Sequence, residues 1–507
     1  MDDRTKIIPA ESADAAPPGA AAAAQHGLDQ PTINRIVIGL MVAMFLSALD
    51  QTIVATALPA IGHELSDIRN LSWVVTAYLL AATTVTPLYG KLSDIHGRRT
   101  MVLIGVGVFM LGSVACALSP SMPVLIVSRA LQGLGGGGLI ALAQTVLADL
   151  VSPRERARYQ AHFGVVFASA SLAGPFLGGV LSEHLHWSVI FWINLPIGVA
   201  ALAMTARALK LLPPLHRPHR LDVLGAALMA CATITLLLAL SWGGKVYPWA
   251  SAPVLALVGG SIAFWVAFAA RLMRAAEPFL PLSVLGNPVV RDGALAAALS
   301  MGTMVGLSIY VPVYLQAVVG LSASASGLAL IPLMGGTVTG ATFSGRIMPR
   351  LTHYKRVPYV GLAGSIVALA AMSFATIDIP LPVTLVLLAI TGVGIGTTFP
   401  VTTVSVQNAV RPFELGTTTA ALNFFRQLGG ALIVAIFGAI MLQGVGVAGG
   451  EGGGDLLARA GAQPELRYAF GWLFGAGVVG LALSYVFLLR MEERPLRDRP
   501  LSEMPAD

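Results

Sequence analysis

Apolar residues in this chain gather in long unbroken runs separated by short polar connections. From Ile36 to Leu489 there are about fourteen runs of roughly 18 or more residues, the length that crosses about 30 Å of hydrocarbon at 1.5 Å per residue. Each is predicted to be a membrane-spanning helix, near 35–59, 72–89, 101–118, 122–147, 161–182, 187–209, 221–241, 252–271, 292–317, 326–346, 358–376, 382–406, 417–441 and 468–490. A Pro- and basic-rich connection from Lys210 to Arg220 follows the sixth run, and a second rich in Arg and Pro, around Arg274 to Arg291, follows the eighth. The resulting six, two, six pattern predicts an all-α integral membrane protein, with two pseudo-symmetric six-helix bundles joined by two inserted linker helices. The expected divisions are a disordered cytoplasmic tail 1–33, a first bundle 34–210, the linker pair 211–290, a second bundle 291–490 and a cytoplasmic tail 491–507. Duplicated halves that rock about a central site are a common way to alternate access. The connections after runs two and ten, GKLSDIHGRR and SGRIMPRLTHYKR, echo one another, although any positively charged inward loop would look similar.

Composition strengthens the membrane reading. The chain is 56% hydrophobic and 11% charged, where soluble proteins carry about 25% charged residues. The formal charge of +6 raises the question of nucleic acid. The basic residues lie in short clusters between spans, however, and a topology rule accounts for them without a nucleic-acid partner. With the N-terminus inside, inward segments hold about 25 of the 31 Lys and Arg residues, against Arg69, Lys245, Arg459 and Arg467 outside. The expectation is a multi-pass protein of a bacterial inner membrane, surrounded by lipid, with both termini cytoplasmic. Residues Met1 to Gln30 lack the apolar core of a signal peptide, so the first span is expected to serve as the uncleaved insertion signal. Cys116 and Cys231 fall inside apolar runs and read as small buried hydrophobes, with no disulfide or metal implied.

Against this background the ionisable residues within spans stand out: one carboxylate, Asp50, and two arginines, Arg129 and Arg426. Charges in hydrocarbon are costly unless paired or facing a cavity, which makes them the first places to look for function. Counting from Arg35, Asp50 lies roughly 22 Å along its helix, in the outer half of the membrane; Arg129 lies about 10 Å in from Met122 on the outer side. The two are expected to share a depth and pair, with Gln132 on the face of Arg129 at i, i+3. A structural ion pair that fixes helix register would look the same. The functional alternative is a carboxylate that gains and loses a proton as its distance to the arginine and its access to water change. Gly133, Gly135 and Gly138 spell G-x-G-x-x-G, but no strand precedes them, and no GxxxxGK[ST] loop occurs, so neither dinucleotide binding nor ATP is indicated. Glu183, His184 and His186 cluster in an outer loop without a metalloprotease spacing, and no metal is assigned.

Several segments resemble a known family. Gly90, Lys91, Asp94, Gly97, Arg98 and Arg99, in GKLSDIHGRR, resemble the signature between the second and third helices of the major facilitator superfamily, with Ile95 where that pattern has a basic residue. Gly90 and Gly97 would permit a tight connection, and Asp94 would form a charge cluster with Arg98 and Arg99. In the family this cluster braces one conformation and breaks during transport. Gly174, Pro175, Gly178 and Gly179, in ASLAGPFLGG, resemble its antiporter signature, with Ala170 in place of the usual Gly. Together with LDQTIVATALP, WSVIFWINLPIG and the extra helix pair, they resemble the fourteen-helix drug/proton antiporter branch over residues 35 to 490. The resemblance implicates Asp50 in proton handling and Arg129 in coupling.

NFFRQLGG adds Asn423, Arg426 and Gln427 as a candidate second-bundle site. No carboxylate lies in that run, so Arg426 is left to snorkel, bind backbone carbonyls or attract an anionic group. The expected function is proton-driven export of amphipathic or lipophilic small molecules by alternating access, with no cofactor beyond the proton gradient. The alternatives are proton-coupled symport of a small metabolite, and a membrane-embedded enzyme or sensor, for which no converging catalytic set is present. The sequence is silent on a periplasmic adaptor.

Overall fold

A computed structural model describes residues 30–67, 70–211, 221–244, 246–375, 379–444 and 464–497. Fourteen helices in it are long and apolar enough to cross a membrane. In chain order they are α1 (Gln30–Glu64), α2 (Leu71–His96), α3 (Arg98–Ala117), α4 (Met122–Leu150), α5 (Pro153–His184), α6 (Val189–Ala206) and α7 (Val223–Trp242). The series continues with α8 (Ala252–Arg274), α9 (Pro288–Ala317), α10 (Ala325–Arg350), α11 (Arg356–Phe374), α12 (Leu381–Asn408), α13 (Pro412–Leu442) and α14 (Tyr468–Arg490). Among the described residues the strand-like pairing is one isolated bridge, Gly243 to Tyr247.

Packing repeats with a step of eight helices. In the first half α1 packs on α5 and α6, α2 on α4, and α3 on α4 and α6; in the second, α9 packs on α13 and α14, α10 on α12, and α11 on α12 and α14. The halves meet along two seams, α2 with α13 and α5 with α10, which the same step of eight interchanges. The linker helices α7 and α8 pack on each other, and α7 lies across α2 and α13.

Small residues set these approaches. A Cβ at Gly137 would overlap the carbonyl oxygen of Ala82, one at Gly135 the backbone nitrogen of Phe109, and one at Gly340 the carbonyl oxygen of Val393. The Gly133–Gly138 run is therefore a packing surface, where α4 breaks for one step between Met122–Gly136 and Leu139–Leu150.

The helices run beyond the apolar runs. α1 begins at Gln30, so residues 30–33, expected in the tail, are helical, and residues 1–29 lie outside the described part. α5 starts at Pro153, eight residues before the predicted span, because Ser152 and Glu155 form a capping box and Pro153 occupies the first helical turn. Of the expected C-terminal tail, residues up to 497 pack against the second half: the Tyr354 hydroxyl donates to the Arg494 carbonyl (2.9 Å) and the Asn408 amide to that of Pro495 (3.0 Å).

Candidate functional site

Asp50 lies within α1, wholly buried. Its Oδ2 accepts from Arg129 Nη1 of α4 at 2.7 Å, and its Oδ1 accepts from Gln132 Nε2 at 2.8 Å and from Asn194 Nδ2 of α6 at 3.0 Å. Ser113 of α3 accepts from both amides, at 2.6 and 3.1 Å. Arg129 Nη1 also donates to Gln132 Oε1 and its Nε to the Val74 carbonyl (3.1 Å), while the guanidinium lies 4.4 Å from the centre of the Tyr78 ring. Four helices thus converge on one carboxylate, and α2 covers the arginine. A charged pair removed from water is tolerable only with this degree of hydrogen bonding.

The structure brings Asp50, Arg129 and Gln132 together. Sequence reasoning missed Asn194 and Ser113. Asn194, an amide inside the apolar run of WINLPIG, was a readable signal; Ser113 was not, because serine is common in membrane helices.

The segment Gly90–Arg99 is less of a loop than the sequence suggested. Gly90 is helical, near the end of α2, and Gly97 alone separates α2 from α3, at φ 88°. Gly90 serves a close crossing instead: a Cβ there would overlap Ala420 and the Gly416 carbonyl of α13. Arg98 pairs with Asp94 and, at 2.8 Å, with Asp149 at the end of α4. Arg99 stands outside that cluster and donates to the Ala206 carbonyl of α6 at 3.3 Å. Lys91 is buried with no ion pair among the described residues. Asp94 reaches across the seam, accepting from the backbone N–H (2.8 Å) and the hydroxyl (2.7 Å) of Thr417.

Further bonds cross between the halves on the same side of the molecule. Gln427 exchanges with Thr83 (3.0 Å) and Thr86 (3.1 Å), Asn423 donates to Gln144 (2.8 Å), and Arg156 donates to Gln407 (3.1 Å). These hydrogen bonds between the halves run from mid-helix to the end carrying Gly97, where they hold the halves together.

Arg426 is buried and donates through Nη2 to the hydroxyls of Thr403 (2.7 Å) and Thr402 (3.2 Å) and to the Phe399 carbonyl (3.3 Å). Its Nε has no acceptor among the described residues. Of the outlets named above the backbone carbonyl is used, and two threonine hydroxyls, which the sequence did not indicate, join it. Glu414, at the end of that span, accepts instead from Ser283 at 2.6 Å.

Burial of charge is wider than the apolar runs implied. Asp149, Asp222, Asp292 and Arg156 are also buried. They lie at helix ends, where elongated helices interlock beyond the hydrophobic runs. Asp222 pairs with Arg271 (3.0 Å) and Asp292 with Arg291 (2.9 Å). On α5, a Cβ at Gly174 or Gly178 would overlap the hydroxyls of Thr52 and Thr56 of α1, and the Thr52 hydroxyl donates to the Ala170 carbonyl at 3.0 Å. Pro175 lies inside α5, whereas a Cβ at Gly179 would meet nothing within 4 Å. His186 reaches back to Glu64 at 2.7 Å, both half exposed.

The sequence profile described as Major Facilitator Superfamily matches residues 40–434. An uncharacterized MFS-type transporter of Mycobacterium tuberculosis is 38% identical over 81% of this chain and 59% of its own length, so this chain matches less than two thirds of that relative. The multidrug transporter protein MdtP of Bacillus subtilis is 35% identical over 80% of this chain and 75% of its own. Multidrug resistance protein 3 of the same organism is 33% identical, over 81% and 80%. Among solved structures, the human organic anion transporter MFSD10 superposes with a TM-score of 0.63 at 18% identity, covering 89% of this chain and 100% of that one. A bacterial homologue of the iron transporter ferroportin, in an outward-facing state, gives 0.60 at 13% identity, covering 91% and 99%. These last two likenesses are of fold.

Proposed function

The chain belongs to the major facilitator superfamily, and from that premise we propose that it is a proton-coupled antiporter exporting amphipathic or lipophilic small molecules across a bacterial inner membrane. The observation that carries this reading is the fully buried Asp50–Arg129 pair, whose carboxylate is held by three donors on two other helices. The names of the two Bacillus relatives support drug export.

The excess of basic residues supports an orientation with the end carrying Gly97, and both chain termini, at the cytoplasm. In that orientation the cross-seam bonds close the cytoplasmic side. A proton arriving from outside neutralises Asp50, removes its charge attraction to Arg129 and turns one carboxyl oxygen from acceptor to donor. α1 is then released from α4. Because Thr52 and Thr56 of α1 rest on Gly174 and Gly178 of α5, the movement reaches the α5–α10 seam. Cargo leaves outward, the halves rock, and the proton is lost inside. The proton gradient supplies about 2.3 kcal/mol per 100 mV and roughly 1.4 kcal/mol per pH unit for each proton. Walls drawn from apolar helices suit cargo of varied shape held by few polar contacts.

Purified protein in liposomes carrying a pH-sensitive dye tests this. Adding a substrate should move protons in the wild type and not in Asp50→Asn, whose helix content and melting should show that it still folds. Undiminished coupled proton movement in Asp50→Asn would overturn the assignment.

A further inference from the structure

Of the two seams between the halves, α2–α13 carries α7 on its outside. The α5–α10 seam is its counterpart by the step of eight helices, and among the described residues it has no equivalent of α7. Beside it, along α10, lies an open surface depression of 410 Å³, lined among the described residues by α10 alone. Val338, Thr342, Phe343 and Ile347 line it, with Arg346 and Arg350 at the end nearer Gly97. The packed faces of α10 are elsewhere: Gly336 and Gly340 meet α12, and Ala341 faces Gly164 of α5. Phe343 is 56% exposed. Arg346 and Arg350 are exposed, share a face at i, i+4, and make no ion pair among the described residues.

The dimensions and charges specify an occupant. From Val338 to Arg350 is roughly 18 Å along the helix, close to one leaflet, which is half of the about 30 Å hydrocarbon core. A mostly apolar face of that length, with Thr339 and Thr342 beside Val338, Phe343 and Ile347, ends in two guanidinium groups without an ion pair among the described residues, which matches a lipid tail below an anionic headgroup. We propose that this face of α10 binds one anionic glycerophospholipid of the leaflet at the Gly97 end. Its phosphodiester lies between Arg346 and Arg350, and an acyl chain covers Phe343, Ile347 and Val338. A zwitterionic lipid offers the same tail but an offsetting positive charge, and free glycerophosphate offers the charge without the tail. The lipid would do for the α5–α10 seam what α7 does for α2–α13.

The full chain, purified in a mild detergent, can be titrated with phosphatidylglycerol or phosphatidylcholine of matched chains, with bound lipid counted by native mass spectrometry. Phosphatidylglycerol should bind more tightly, and Arg346→Gln or Arg350→Gln should each weaken it about fivefold, the two together roughly 25-fold. Phosphatidylcholine affinity should not change in these variants. Arg274→Gln, at the exposed end of α8, should leave both affinities unchanged. Glycerol 3-phosphate should not raise the melting temperature. Equal retention of phosphatidylglycerol by the wild type and the double variant would overturn the proposal. So would equal affinity for the two lipids, or full protection by glycerol 3-phosphate alone. The variants' melting in phosphatidylcholine reports that they fold.

Discussion

Asp50 and Arg129 are each wholly enclosed, so neither charge is tolerable without the other. Removing one partner of such a pair costs about 3–5 kcal/mol, because the survivor stays buried and uncompensated, whereas removing both costs much less. Arg129→Leu should therefore lower the detergent melting temperature sharply, and Asp50→Leu added to it should restore most of the loss. If the double variant melts no higher than Arg129→Leu alone, the pair is not what stabilises this region. Asn194 and Ser113 hold the carboxylate from α6 and α3, and for them the sequence offered an isolated amide and an ordinary serine. Which polar side chains meet is set by helix rotation and depth, and these a run of apolar residues does not encode.

At the level of the helix, glycine decides spacing. Gly137 and Gly340 lie against backbone carbonyl oxygens of neighbouring helices, which cannot swing aside as a flexible side chain does. Gly137→Ala and Gly340→Ala should each destabilise the protein by about 1–3 kcal/mol as the helices are forced apart. A Cβ at Gly259 of α8 would meet no neighbouring element within 4 Å, and Gly259→Ala should be neutral or stabilise by up to about 1 kcal/mol through helix propensity. Unfolding transitions of the three variants in one detergent check both statements. Existence and order of the helices were readable from the runs alone. Their ends were not: α5 gains its first turns from the Ser152–Glu155 capping box, in a stretch too polar for a hydropathy criterion to include.

For the whole molecule, the bonds between the halves hold one end shut. Asp94 is central to them, accepting twice from Thr417 while pairing with Arg98. A hydrogen bond to a charged group contributes about 1.5–3 kcal/mol, and every 1.4 kcal/mol is tenfold in population. Asp94→Asn should thus raise the share of molecules open at the Gly97 end by roughly tenfold or more. Distances between spin labels at the neighbouring ends of α2 and α13 would show a longer component; an unchanged distribution would remove Asp94 from the closure.

The sequence by itself determined the number and order of the apolar helices and picked out Asp50, Arg129 and Arg426 as the charges within apolar runs, because hydrophobic length and the cost of charge in lipid are local properties. It also marked Asp94 and Arg98, without their partners. Tertiary structure alone decided that Arg98 turns to Asp149 while Arg99 turns away, that Gly90 is a crossing point rather than a bend, and that Arg426 is held by Thr402, Thr403 and the Phe399 carbonyl. Those outcomes depend on contacts between residues far apart in the chain, where the angle and depth of one helix against another select a partner from several of the same chemistry.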